Sequence, residues 1–74
     1  MADLNLQAGR RAKAGTAYAS AVRYLSVGMD LLGDDAWDRR YDLTFALWIE
    51  AAECEYLNGN FEKTEQLISE VLSR

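Results

Sequence analysis

The chain contains no histidine, no proline and a single cysteine, Cys54. With one cysteine, no disulfide closes within the chain. Without histidine there is no Cys/His zinc site, and a nucleophilic thiol has only lysine or a carboxylate to serve as its base. A lone cysteine fits a reducing setting, so the expected location is cytoplasmic. No stretch approaches the ~20 apolar residues of a membrane span, and no basic-then-apolar leader opens the sequence. Positive charge is scarce as well: eight Lys and Arg stand against twelve Asp and Glu, for a net charge of −4. Duplex binding depends on neutralising phosphates, so this balance argues against nucleic acid as the main partner.

Half of the 74 residues are hydrophobic and 27% are charged, a globular composition. The charge is unevenly spread. Residues 1–28 hold four basic residues and one acid, while residues 29–74 hold four basic residues and eleven acids. The length allows one domain, 1–74, whose core yields roughly 3–5 kcal/mol when nothing staples it. Met1-Ala2-Asp3 reads as a start placed ahead of Leu4, and the pattern reaches Arg74 unbroken. A fragment of a larger protein is the expectation.

The hydrophobic periodicity is helical nearly throughout, which predicts an all-α chain of four helices. The first covers about Leu4–Lys13, with Ala8, Gly9 and Ala12 on one side. In the second, about Ala17–Leu32, Tyr18, Ala21, Val22, Leu25, Met29 and Leu32 recur at three- and four-residue steps. Gly33-Asp34-Asp35 offers a terminating glycine and a capping acid. The third, about Ala36–Asn58, carries two stripes: Trp37, Tyr41, Phe45, Trp48 and Ala52, and beside it Thr44, Leu47, Ala51 and Cys54. A helix apolar over so much of its circumference is packed on more than one side. Asn58-Gly59-Asn60 ends it, and the fourth helix, Phe61 to about Ser73, turns Phe61, Thr64, Leu67, Ile68, Val71 and Leu72 inward. Short connections make successive helices antiparallel. The plan is two helical hairpins, about 4–32 and about 36–73.

The hairpins repeat one another. Tyr18, Ala21, Leu25 and Gly28 match Phe61, Thr64, Ile68 and Val71 at identical spacings, 43 residues apart, each set after a glycine-bearing turn. With Ala8-Gly9 ahead of the first set, and Trp48 with Ala51-Ala52 ahead of the second, the pattern resembles the tetratricopeptide repeat (TPR). The resemblance implies a TPR-like α-solenoid segment in which small residues let helices approach and larger ones fill the space between hairpins. Ala12 and Glu55 stand where that family has tyrosine, no proline closes a repeat, and the period exceeds the usual ~34 residues. The additional length lies between Met29 and Leu47, which predicts longer helices.

The run from Leu31 to Phe61, with Ala8-Gly9 and Ala17-Tyr18 before it, also resembles the helical-repeat arm of large bacterial signalling ATPases. Those chains join an AAA- or STAND-type ATPase to kinase, GAF and histidine-kinase modules. The resemblance implies a relay segment beside a nucleotide switch, with neighbouring domains or another protein as partner.

No catalytic, cofactor-binding or metal-binding residue emerges. Glu50, Glu53 and Glu55 are the densest carboxylates, but no aspartate loop or histidine joins them, so a solvated polar stripe is expected. Cys54 reads as a small packing residue. Gly9–Gly15 has two glycines and three basic residues yet lacks the phosphate-loop spacing. Trp48 is expected between the hairpins, and Trp37, Tyr41 and Trp48 offer the one conceivable ligand slot. The expected function is thus a non-catalytic protein-interaction and scaffold module in signal transduction. A self-association module and a small-ligand sensor in the repeat groove are the alternatives. Two hairpins fall short of the three repeats usually needed, and Tyr24, Val27 and Leu31 form a second apolar line, so the chain is expected to be a homodimer.

Overall fold

The computed structural model describes residues 1–74, all helix and turn with no strand. Five helices follow in order: α1 Ala2–Ala14, α2 Tyr18–Leu31, α3 Ala36–Arg39, α4 Tyr41–Leu57 and α5 Phe61–Leu72. Helix α1 packs along α2, α4 along α5, and α2 crosses onto α4, which α1 also touches.

Inward positions recur at helical steps: Ala2, Leu6 and Gly9 on α1; Ala21, Leu25 and Gly28 on α2; Thr44, Leu47, Ala51 and Cys54 on α4. Leu6, Leu25, Leu47 and Leu67 are the large aliphatic members of this core. Their burial contributes ~1.5–3 kcal/mol each. Close approach depends on two glycines. A Cβ on Gly9 would lie 2.6 Å from Leu25 Cγ, and one on Gly28 would lie 3.0 Å from Leu47 Cδ2 and 3.1 Å from Asn5 Cβ.

The turns after α1 and α4 are one structure used twice. The Ala17 N–H donates to the Ala12 carbonyl and the Thr16 N–H to that of Lys13; 43 residues on, the Asn60 N–H donates to Glu55 and the Gly59 N–H to Tyr56. Both are Schellman closures, which place the residue after the cap in the left-handed region. Gly59 occupies it at φ 87° and Thr16 at φ 60°. The glycine of the first turn, Gly15, is not the left-handed residue (φ −89°).

The structure corrects several expectations. There are five helices rather than four, because the third segment breaks at Arg40, whose φ of −132° and ψ of 55° are not helical. In an unbroken helix Trp37 and Trp48 would stand about 16 Å apart along the axis. Their ring centroids are 5.3 Å apart, so α3 folds back onto α4. Buried Thr44 fixes the bend: its hydroxyl is 2.7 Å from the Arg40 carbonyl and 3.2 Å from that of Ala36. The additional length between Met29 and Leu47 therefore goes into α3 and its flanking turns, not into longer helices. Helix α2 ends on extended Leu32 rather than on a glycine, and Asp35 makes no cap hydrogen bond; it pairs with Arg39 at 3.4 Å instead. On α5 only Leu67 is buried, since no helix covers the side carrying Phe61, Ile68 and Leu72.

Candidate functional site

Arg10 and Lys13, three residues apart on α1, face Glu50 and Glu53, three apart on α4. Arg10 Nε donates to Glu50 Oε2 at 3.1 Å, and Lys13 Nζ lies 2.8 Å from Glu50 Oε1 and 2.9 Å from Glu53 Oε1. The two charge clusters that looked unrelated along the chain are one bridge across the helix pairs. Glu50 is no solvated side chain: 16% of it is exposed, and its Oε1 is buried with no directed hydrogen bond, held by the adjacent ammonium. Close contacts with the carboxylates of Glu50 and then Glu53 raise the Lys13 ammonium well above the usual lysine range. Burial pushes the Glu50 carboxyl up, but Lys13 and Arg10 outweigh it and hold it below its ordinary value. The matched three-residue spacing of bases and acids is the sequence signal that marks this pairing.

Cys54 is fully buried in the core, and burial raises its thiol above the ordinary value. That disfavours the reactive thiolate. No three His, Cys, Asp or Glu side chains are grouped so as to hold a metal ion. No helix is long and apolar enough to cross a membrane.

Trp37, Tyr41, Phe45 and Trp48 do meet, as a ladder along the α3–α4 bend. Trp37 packs edge-on to Trp48 and, at 5.5 Å, to Tyr41, and Tyr41 stacks on Phe45 at 5.9 Å. Trp48 is half-buried, not sealed between the helix pairs, because its indole N–H reaches outward to Glu70 Oε2 at 2.9 Å. That bond ties α4 to the last turn of α5. Tyr41 and Phe45 remain exposed.

The 43-residue correspondence identifies the more informative surface. Leu25 of α2 is fully buried beneath its neighbours, whereas its counterpart Ile68 on α5 is 36% exposed. Half-buried Tyr18 corresponds to Phe61, 58% exposed, and half-buried Met29 to Leu72, 80% exposed. On α5 these three share one stripe, and Tyr56 extends it, its ring 5.3 Å from that of Phe61. Glu65 and Glu62 lie to one side of the stripe along the exposed face of α5, whereas Glu70 is on the opposite side, turned to Trp48. A second exposed apolar line, Tyr24, Val27 and Leu31, runs along α2.

Over its whole length the chain is similar to a segment of the hybrid signal transduction histidine kinase G of Dictyostelium discoideum, with 26% identity over 83 aligned positions. It spans 2% of the length of that protein. No described protein family matches the chain. No solved structure matches it either.

Proposed function

We propose that the chain is a non-catalytic, TPR-like interaction segment of a cytoplasmic signalling protein, relaying contacts between neighbouring domains or to a protein partner. The observation that carries this reading is the open face of α5. Each repeat unit presents the same stripe; α4 lies over that of α2, and nothing lies over that of α5. The stripe of Phe61, Ile68 and Leu72 is then a seat for one more amphipathic helix, laid as α4 lies on α2. Its acidic border favours a helix with basic flanks. The likeness to a histidine kinase supports a signalling context.

The test is a titration of isotopically labelled protein with a peptide of residues 41–57, which stands in for the missing helix. Backbone resonances of Phe61, Ile68 and Leu72 should shift saturably, and Ile68→Glu should abolish the response. Shifts confined to other helices, or none, would overturn the reading.

A second reading is favoured by the line Tyr24, Val27 and Leu31, apolar and exposed on another helix. Two such lines on a small chain favour self-association as a homodimer, in which one copy covers the other. The third, a small-ligand sensor, has only the groove beside Trp37 and Trp48 in its support.

A further inference from the structure

Where α3 folds back, it leaves a groove of about 340 Å³ against the end of α2. One side is aromatic, formed by Trp37 and Trp48 with their rings inclined at 61°. Asp30 and Asp34 bring carboxylates from α2 and the following loop. Neither takes part in any of the five ion pairs of the chain, so both remain available. A cation already rests at this place: the guanidinium carbon of Arg74 lies 5.6 Å from the centroid of the Trp37 ring.

We propose that this groove receives an arginine side chain of a partner protein, and that Arg74 is its internal competitor. The chemistry favours guanidinium over ammonium. A planar, weakly hydrated cation spreads over an indole face while its edge N–H groups reach carboxylates, whereas an ammonium keeps its water and has no face to stack. Arg74 covers Trp37 yet forms no ion pair with Asp30 or Asp34. An arginine from outside gains the ring and the carboxylates together, and so displaces it. This site does not depend on the reading of α5, because its residues and its ligand are different.

The indole N–H resonances of Trp37 and Trp48 report on the groove directly. Titration with the tripeptide acetyl-Gly-Arg-Gly-amide at millimolar concentration should shift both saturably, with the lysine tripeptide weaker by several-fold. Arg74→Ala should bind the arginine tripeptide several-fold more tightly than the parent chain. Asp34→Asn, at an exposed position that leaves the core intact, should weaken binding by about tenfold through loss of one charge-assisted contact. Three results would each overturn the proposal: no saturable shift in Arg74→Ala, equal binding of the two tripeptides, or no effect of Asp34→Asn and Asp30→Asn combined.

Discussion

Thr16 holds φ at 60°, a region that costs a residue with a Cβ about 1–2 kcal/mol, and more comfortably suits the glycine found at its counterpart, Gly59. Thr16→Gly should therefore stabilise the chain by about 1 kcal/mol, and Gly59→Ala should destabilise it by about as much. Urea unfolding midpoints check the pair, and opposite signs are the required outcome. The second residue-scale effect is electrostatic. Glu50 titrates below its ordinary value in the folded chain, so it binds fewer protons folded than unfolded. Its contribution is full above the unfolded value of about 4.3 and disappears as pH falls through the folded one. Lys13 is shifted upward, so its contribution holds below the unfolded value of about 10.4 and disappears only as pH rises through the folded one. Glu50→Gln should cost about 1–2 kcal/mol at pH 7 and much less at pH 3. A penalty that stayed constant between those two pH values would contradict the assignment.

The helices are held close by small residues facing large ones. Alanine is the better helix former by about 1 kcal/mol, so propensity by itself makes Gly9→Ala favourable. Packing opposes it, because the new Cβ would meet fully buried Leu25 at 2.6 Å. Overpacking of this kind costs about 1–3 kcal/mol, and the net effect should be a loss of stability. Thermal unfolding checks it, and a raised midpoint would mean that α1 and α2 yield easily. The break between α3 and α4 belongs to the same scale. Neither proline nor glycine marks it; a buried threonine hydroxyl and two indoles packed edge-on hold it. Periodicity read across Ala36–Asn58 as one helix because both sides of the break are apolar.

As a whole molecule, the chain buries the inner faces of both helix pairs and leaves the stripe on α5 open. Sedimentation equilibrium at micromolar concentration should show self-association, and Ile68→Glu with Leu72→Glu should restore a folded monomer. Both side chains are exposed, so the double variant should keep the helical circular dichroism of the parent chain. A parent chain that is a folded monomer at these concentrations would rule out the dimer.

Helical class, the correspondence between residues 18–28 and 61–71, and the stripe Thr44, Leu47, Ala51 and Cys54 were all determined by the sequence, because each depends on residues a turn or two apart. The bridge from Arg10 and Lys13 to Glu50 and Glu53 was legible only as matched spacings, since nothing local says that two clusters forty residues apart will meet. Tertiary structure alone decided three matters. It folded α3 back at Arg40, it left Trp48 half-buried against Glu70, and it turned Phe61, Ile68 and Leu72 outward although their periodicity is that of a core. The reason is the same in each case. An amphipathic pattern states that a face is suited to burial, but whether it is buried depends on which helix arrives to cover it.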